Sequence, residues 1–347
     1  MRANPASWHS EPSFAEPEAS KKVTSVQITI VRSAQQMAGL RPLWESLCVP
    51  NKTTIFQGFH WNLLAFTMFG TREEPHVVCA KASYGVAIVP AVIHRQSSSL
   101  RMLGEELFDY RNVLHGGDAE ILGHALASLA QLERPLEVVA IREQDRVPLL
   151  ENLDLVRFSA APIVSCSDIS AEAFAAEHSR LARNLRRFQA LGFELKVHDG
   201  TSSALLRSIY QRKAEQNHEN LFHDPTRIQF IVNAALFHPK SFQIFTLENA
   251  SRLAAALVTL RDGLCRRFYT GWFDPAFEKL SPSMTLIYAV SCRSLAEGLD
   301  CDYMTGEQAY KVRLATRSQP LYRLRATAAQ LATLAEAAGP ETRLRAA

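Results

Sequence analysis

Chemically capable side chains are concentrated in one stretch near the C-terminal end of the chain, residues 300–311, DCDYMTGEQAYK. Asp302, Glu307, Tyr310 and Lys311 place carboxylate, phenol and ammonium groups there. The stretch begins as a predicted strand and ends in a short predicted helix, and sites in open sheets often lie at such junctions. Glu307 and Lys311 are four positions apart, so they also fit a solvent-exposed ion pair that contributes little to stability.

A second candidate segment lies upstream, where a predicted hairpin strand containing Tyr269 leads towards the residues Ser281-Pro282-Ser283-Met284. These residues open a predicted helix, and Ser281 or Ser283 could cap it. The start of a helix points unpaired backbone N–H groups and a partial positive charge outward, which suits a pyrophosphate. The same residues fit an ordinary capped helix with no ligand.

Signatures of several other chemistries are absent from the sequence, including nucleotide-binding glycine loops, the serine-hydrolase elbow and the metalloprotease helix motif. His218 and His223 are five positions apart and would not share one helical face, so no metal site is predicted. The 38 basic residues nearly balance the 35 acidic ones, for a net charge of +3, so no nucleic-acid partner is expected. No apolar run reaches the length of about 18 residues that a membrane span requires.

The cysteines and the N-terminus indicate a reducing compartment. The six cysteines are scattered and include no Cys-x-x-Cys pair, so neither a disulfide framework nor a zinc site is expected. We predict reduced, mostly buried thiols and a cytoplasmic protein. Residues 1–22 lack the apolar core of a secretory signal and are predicted to form a disordered leader.

The order of predicted elements suggests a duplication. A chain of 347 residues is long enough for two domains. Residues 23–165 read as a strand, helices, a strand meander, a helix and further strands, and residues 166–326 follow a similar order, with a short helix over 307–314. Residues 327–347 are alanine-rich and are predicted to form a helical tail that packs loosely outside the core.

These segments together resemble a known family. The hairpin, the helix start at 281–284, the strand at Asp302 and the sequence Gly306-Glu307-x-x-Tyr310-Lys311 look like the C-terminal half of a GNAT-type acyltransferase. The branch the chain resembles most is the cellulose-biosynthesis-type acetyltransferase-like family, which is similar in layout to the Fem-like peptidoglycan aminoacyltransferases. The resemblance spans roughly residues 25–325, and three further segments fit it in the same order: Phe56-Gln57-x-x-x-Trp61, Leu103-Gly104 to Asp109-Tyr110, and Arg183-Asn184-Leu185-Arg186-Arg187.

The resemblance implies an α/β (α+β) fold of two tandem GNAT-like domains, with mixed central sheets flanked by helices and the catalytic domain second. It implies a bacterial enzyme that transfers an acyl group, in the first instance acetyl, from a CoA thioester to the amine or hydroxyl of a small-molecule acceptor. Acetyl-CoA or another acyl-CoA would be the co-substrate, no metal would be needed, and the acceptor could belong to exopolysaccharide metabolism. The phosphates of the donor would lie at residues 281–284, and the acyl carbonyl near Tyr269.

The same analogy suggests roles for the remaining candidates. Lys311 would stabilise developing negative charge, and Tyr310 would position or protonate the leaving sulfur. Glu307 or Asp302 would take the proton of the acceptor, although Asp302 could instead hold Lys311 in place. The candidate residues of an acceptor cleft between the two domains are Asp109, Tyr110, Gln57 and Trp61. Trp61 fits core packing equally well.

One departure from the family pattern keeps other donors and functions open. GNAT enzymes usually bind pyrophosphate with a glycine-containing loop, whereas residues 278–283 contain no glycine, the residue that lets backbone approach a phosphate closely. An acyl carrier protein or an aminoacyl-tRNA is therefore an alternative donor, the former in an N-acyl amino acid synthase. A non-catalytic GNAT-fold binding protein is the third interpretation, which the retained Glu307, Tyr310 and Lys311 oppose.

Overall fold

The fold is described by a computed structural model over residues 25–216, 219–337 and 342–345. The predicted leader, residues 1–22, lies outside these ranges. Within them, α-helices cover both faces of one continuous mixed sheet of 14 strands. No helix of the described residues is long and apolar enough to span a bilayer.

Over residues 25–165, the first half contributes seven strands and five α-helices. The strands are β1 (Val26–Val31), β2 (Glu73–Ala82), β3 (Gly85–His94), β4 (Ser99–Met102), β5 (Leu114–Gly117), β6 (Leu136–Arg142) and β7 (Asp154–Val164). The helices are α1 (Ala34–Gly39), α2 (Arg41–Leu47), α3 (Phe59–Met68), α4 (Glu120–Ser128) and α5 (Pro148–Glu151).

The second half repeats this order of elements. Its strands are β8 (Glu194–Asp199), β9 (Phe242–Glu248), β10 (Leu253–Asp262), β11 (Cys265–Phe273), β12 (Asp300–Asp302), β13 (Arg317–Ala326) and β14 (Thr342–Arg345). Its helices are α6 (Ala171–Glu177), α7 (Ser179–Ala190), α8 (Ser203–Gln216), α9 (Pro225–Phe237), α10 (Pro282–Ala296), α11 (Ala309–Leu314) and α12 (Ala328–Ala337).

Local sequence signals explain several element boundaries. Ser33 caps α1 through a capping box with Gln36, and the side chain of Asp224 caps α9 by accepting from the backbone N–H of Thr226 at 2.9 Å. The predicted turn between β10 and β11 is confirmed, with Gly263 at a φ of +61°, a conformation that favours glycine.

A pair of parallel strands separates in each half of the sheet. In the second half, β11 and β12 are paired from Cys265–Asp300 to Arg267–Asp302, and the two strands then separate. In the first half, β4 and β6 are paired only at Leu100–Leu136. Because parallel strands that separate leave a gap in the sheet, each half contains a cleft.

The two halves exchange strands β7 and β13. The order across the sheet is β14-β1-β2-β3-β4-β6-β13-β7-β12-β11-β10-β9-β8, with β5 paired to β3. Strand β13 of the second half therefore lies between β6 and β7, and β7 of the first half pairs with β12 of the second. The sheet crosses the predicted limit between residues 165 and 166, so neither half has a separate sheet.

Aromatic side chains form the core between the two halves. Trp44, Phe56 and Trp61 of the first half belong to the same buried cluster as Phe230 and Phe242 of the second. Buried aromatic side chains each remove about 150–250 Å² from water, so this cluster is a main source of cohesion between the halves.

The C-terminal tail differs in part from the sequence prediction. Helix α12 is present, but it packs on α4, and Leu331 and Leu334 are fully buried in the core of the first half. The segment β14 is a strand paired in parallel with β1. The apolar face of α12 explains its tight packing, since each buried leucine contributes about 1.5–3 kcal/mol.

All six cysteines are free thiols. Cys79 and Cys301 are buried and Cys166 is exposed, while the other three are half-buried, so the thiols are less buried than the sequence predicted. Burial raises the pKa of Cys79 to about 11, which keeps this thiol protonated and unreactive at neutral pH.

Truncation of Leu331 tests the attachment of α12. We expect Leu331→Ala to lower the free energy of unfolding by about 2–5 kcal/mol, because the substitution leaves a cavity in the core. The matched control is Thr333→Ala on the exposed face of the same helix, which should stay within about 0.5 kcal/mol. Urea denaturation measures both, and equal small effects would mean that the tail packs loosely after all.

Candidate functional site

The largest group of predicted site residues lies around the gap between β11 and β12. A cavity of about 890 Å³ opens there, which we call the β11–β12 cleft. Its walls include Phe268–Phe273 of β11 and Tyr303–Thr305 beyond β12, together with Tyr310 and Lys311 of α11. The structure therefore brings Tyr269, Tyr310 and Lys311 together as the sequence analysis expected.

A buried ion pair joins β11 and β12 next to this cleft, and both of its residues line a separate cavity of about 450 Å³. Arg267 and Asp302 are opposite each other in the last register pair of β11 and β12, and the guanidinium donates to the carboxylate. Arg267 also donates to Asp262 through Nε at 3.0 Å. The hydroxyl of Tyr110 donates to Oδ1 of Asp302 at 2.8 Å. Burial, and next the carboxylate of Asp302, raise the pKa of Tyr110 well above its usual value, so the phenol keeps the proton it donates.

Asp302 is thus a structural anchor, and its predicted role as a base is corrected. Besides Arg267 and Tyr110, it accepts from the backbone N–H of Met304 at 2.8 Å, so its oxygens are occupied. Met304 has a φ of +65°, which turns the chain so that its carbonyl and that of Thr305 face Lys311. The second interpretation of Asp302, as the support for Lys311, agrees with this geometry.

Lys311 is held inside the cleft wall. Its side chain is 8% exposed, and Nζ donates to the carbonyl of Thr305 at 2.8 Å and to that of Met304 at 3.4 Å. Burial lowers the pKa of Lys311, while the carboxylates of Asp109 and Asp302 act against that shift. An ammonium group has three N–H donors, so one is left to face a ligand in the cleft.

Strand β11 carries a bulge at Tyr269. The pairing with β10 passes from Val258–Thr270 to Thr259–Phe268, so Tyr269 has no partner in the register. A bulged residue leaves its backbone groups out of the ladder, where they can bind a ligand carbonyl. The phenol of Tyr269 is occupied separately, because it donates to the carbonyl of Leu107 at 2.8 Å.

The start of α10 meets the far end of the cleft, but only half of the predicted residues reach it. Ser283 and Met284 line the cleft, whereas Ser281 and Pro282 lie outside its lining. Ser281 has a φ of +48° and its side chain makes no capping hydrogen bond, which corrects the predicted cap. N-cap residues normally have extended backbone, and Ser281 instead has the left-handed conformation.

Asp109 occupies the junction of two cavities. A second cavity of about 900 Å³, which we call the β4–β6 cavity, opens where β4 and β6 separate in the first half. Asp109 and Thr305 line both cavities, and the hydroxyl of Thr305 donates to the backbone carbonyl of Asp109 at 3.2 Å. Burial raises the pKa of Asp109 to about 6, with Lys311 acting in the opposite direction. The sequence analysis placed Asp109 in an acceptor cleft but did not recognise it as a base.

The other predicted acceptor residues lie behind the cavities. Trp61 is fully buried in the core between the halves, stacked on Phe242, which favours its packing interpretation. Gln57 is also buried: Nε2 donates to the carbonyl of Tyr110 at 2.9 Å, and Oε1 accepts from the backbone N–H of Thr54 at 2.8 Å. Gln57, Trp61 and Tyr110 therefore support the segment that carries Asp109, and none of them lines either of these two cavities.

Glu307 does not reach the cleft. Helix α11 begins at Ala309, two residues later than the helix predicted over 307–314, so Glu307 precedes it and is exposed. Gly306, at a φ of +108°, makes the turn before the helix. Glu307 is outside the helix, and Lys311 points inward. Lys311 therefore binds backbone carbonyls in place of the predicted ion pair with Glu307.

One lysine of the cleft was missed by the sequence analysis. Lys213 of α8 donates through Nζ to the carbonyl of Gly271 at 3.0 Å, and burial lowers its pKa. It lies in an ordinary amphipathic helix with no motif around it, so only its position in the fold reveals it. Within the described ranges, no group of three histidine, cysteine, aspartate or glutamate residues could hold a metal ion.

Comparison with known proteins assigns the second half. The family model described as acetyltransferase (GNAT) domain matches residues 176–312. This segment is therefore similar to a GNAT acetyltransferase domain. It contains the β11–β12 cleft, the bulge at Tyr269, and both Tyr310 and Lys311 of α11. No curated protein matches the chain.

Solved structures match almost the whole chain. The C-terminal domain of a protein assigned as a lysylphosphatidylglycerol synthetase from Agrobacterium fabrum has a TM-score of 0.56 at 11% identity, over 88% of this chain and 96% of that one. A conserved protein of unknown function from Bacteroides thetaiotaomicron has a TM-score of 0.57 at 9% identity, over 86% and 99%. FemX has a TM-score of 0.51 at 10% identity, over 84% and 95%.

These matches extend beyond residues 176–312 to both halves and confirm the predicted fold class, an α/β arrangement in which helices flank a mixed sheet. At such low identity the likeness is one of fold. The GNAT fold supports an acyltransferase, while membership of the cellulose-biosynthesis branch stays a prediction.

Removing the hydroxyl of Tyr110 tests the anchor at Asp302. We expect Tyr110→Phe to lower the free energy of unfolding by about 1–3 kcal/mol, because a buried carboxylate loses a hydrogen bond. The control is Tyr84→Phe in the turn between β2 and β3, a half-buried residue, which should change the value by less than about 0.5 kcal/mol. Chemical denaturation compares the two, and a Tyr110→Phe protein as stable as the wild type would contradict the proposed anchor.

Proposed function

We propose that the protein is an acyltransferase in which a thioester donor enters the β11–β12 cleft and an amine or hydroxyl acceptor enters the β4–β6 cavity. The observation that carries this proposal is that Asp109 and Thr305 line both cavities. Two substrates bound on opposite sides of this junction would bring their reacting atoms together, which is a large part of catalysis in group transfer. The matched GNAT domain supports the donor side.

The residues at the junction supply the required chemistry. The acceptor nitrogen or oxygen attacks the thioester carbon and loses its proton to Asp109, whose pKa of about 6 suits a base at neutral pH. The free N–H of Lys311 and the backbone at the Tyr269 bulge stabilise the negative charge on the carbonyl oxygen. The C–S bond then breaks, and the sulfur takes a proton from Tyr310, which is 38% exposed and can recover one from solvent.

Acetyl-CoA or another acyl-CoA is the first donor we propose, since its phosphates would face Ser283 and Met284 at the start of α10.

A specific observation favours a second class of donor. Pro282 has no backbone N–H, the N–H of Ser281 already donates to the carbonyl of Glu278 at 2.8 Å, and the Glu278 side chain lines the cleft. These features weaken a diphosphate site, and they favour an acyl carrier protein or an aminoacyl-tRNA.

An acceptor from exopolysaccharide metabolism and a cytoplasmic location belong to the same proposal and rest on the sequence alone.

A direct binding screen tests the enzymatic function. Acetyl-CoA, a long-chain acyl-CoA and an acyl-loaded carrier protein are each added in a thermal-shift measurement, and we expect one of them to raise the melting temperature. The productive donor should also release free thiol when amines are added. The non-catalytic binding protein would be favoured if no donor raised the melting temperature or released thiol, and if charged tRNA gave no aminoacyl transfer.

Two carboxylates can be compared directly as the base. We expect Asp109→Asn to lower kcat/KM by about 10²–10⁴-fold, because the acceptor loses its general base. Glu307→Gln should retain activity within about twofold, since that side chain is exposed and outside the cleft. Steady-state kinetics of both variants, with circular dichroism to confirm folding, decide the assignment, and the reverse pattern would restore the sequence-based choice of Glu307.

The pH dependence provides an independent check. Asp109 must be ionised to accept a proton, and its raised pKa keeps it protonated below about pH 6. The kcat/KM of the wild type should therefore rise with pH through about 6 and level off above it. We expect Asp109→Asn to lose this limb in its residual activity. A wild-type profile that is flat between pH 5 and 7 would exclude Asp109 as the base.

A further inference from the structure

Two arginine side chains in the β4–β6 cavity lack partners. Arg101 of β4 and Arg111, two residues after Asp109, both line it. Within the described part of the chain, neither guanidinium forms a hydrogen bond or an ion pair, and Nε of Arg101 is buried. Burial lowers the pKa of Arg111 even though Glu73, Asp109 and Glu106 lie nearby, so these carboxylates do not fully compensate the loss of water.

The other charged groups around the cavity are already engaged. Arg227 pairs with Glu106 at 3.2 Å, and Arg72 pairs with Asp224 outside the cavity. Glu137 is held by Arg325 of β13 at 3.1 Å. The remaining carboxylates are Glu73, which accepts from the backbone N–H of Gly104 at 3.1 Å, and Asp109 at the junction. Arg101 and Arg111 are therefore the groups of this wall that are left for a ligand.

A desolvated cation without a partner is unfavourable, and proteins normally keep buried charges paired. The planar fork of a guanidinium matches the two oxygens of a carboxylate or a phosphate. We propose that Arg101 and Arg111 form an oxyanion subsite, so that the acceptor carries a carboxylate or phosphate group besides its nucleophilic amine or hydroxyl. This proposal rests on the proposed function, in which the nucleophile lies beside Asp109.

The placement explains how the acceptor would be oriented. Asp109 and Arg111 are two positions apart in the same segment. They would therefore bind the nucleophile and the anionic group of one acceptor side by side. Thr305 marks the side from which the donor arrives. An acceptor fixed at its anionic end would present its nucleophile towards the β11–β12 cleft, and a neutral analogue would lose this orientation.

Anion binding can be measured without any donor. The full-length protein is titrated with inorganic phosphate and, separately, with acetate, and the melting temperature is followed at constant ionic strength. We expect one of the two anions to stabilise the wild type and to have no effect on Arg111→Gln or Arg101→Gln. The control is Arg157→Gln on the exposed part of β7, which should respond like the wild type. The anion that raises the melting temperature shows whether the subsite binds a phosphate or a carboxylate. Equal responses in all four proteins would overturn the subsite.

Acceptor preference is tested with matched amines. Glucosamine 6-phosphate is compared with glucosamine, and glycine with glycinamide, using whichever thioester proves to be the donor. We expect kcat/KM to be at least about tenfold higher for the anionic member of one pair, and Arg111→Gln to remove that preference while Arg157→Gln retains it. Equal rates for charged and neutral members would overturn the oxyanion subsite and leave the acyltransferase intact. Anion binding without any acylation would overturn the acyltransferase and leave the subsite intact.

Discussion

The buried ion pair between Arg267 and Asp302 determines how the rest of the site is arranged. It lies at the last point where β11 and β12 are paired, and the cleft begins directly beyond it. Tyr110 connects the pair to the first half, and the backbone of Met304 connects it to the loop that holds Lys311. Losing one partner of such a pair typically costs about 3–5 kcal/mol, because the other charge stays buried without compensation. Here the loss would also affect Tyr110 and the loop that holds Lys311.

The exchange of β7 and β13 makes the two halves one structural unit. Because the sheet is continuous, the gap between β4 and β6 and the gap between β11 and β12 have a fixed relative position. The aromatic core around Trp61 and Phe230 fills the space between the halves. These two constraints place Asp109, from the first half, beside Lys311, from the second. Neither half alone would contain both cavities or the residues at their junction.

Burial, more than net charge, controls the electrostatics of the site. The protein is nearly neutral, with a net charge of +3, so no broad field attracts an anionic substrate. In the cleft, loss of water raises the pKa of Asp109 and lowers those of Lys213 and Lys311. Each shift favours the neutral form of its group. A base with a pKa near 6, and lysines whose pKa values are lowered by burial, are consistent with proton transfer at neutral pH.

Sequence patterns alone predicted much of the fold. The alternation of strands and helices, the hairpin around Gly263, and the repeated order of elements depend on local preferences, and the structure confirms them. The resemblance to GNAT proteins singled out Tyr269, Tyr310 and Lys311, which line one cleft in the structure. These residues lie within about 45 positions of one another, in β11 and α11, so their order in the chain was enough.

Only the tertiary structure decided that Asp109, and not Glu307, lines the cleft. Glu307 is near Lys311 in sequence, but the two-residue shift of the helix start leaves it in solvent. Asp109 is about 200 positions away and reaches Lys311 because the two halves share a sheet. Trp61 was ambiguous for the same reason, since an aromatic side chain suits a core and a binding site equally well. Sequence determined which groups were present, and long-range strand pairing determined which of them meet.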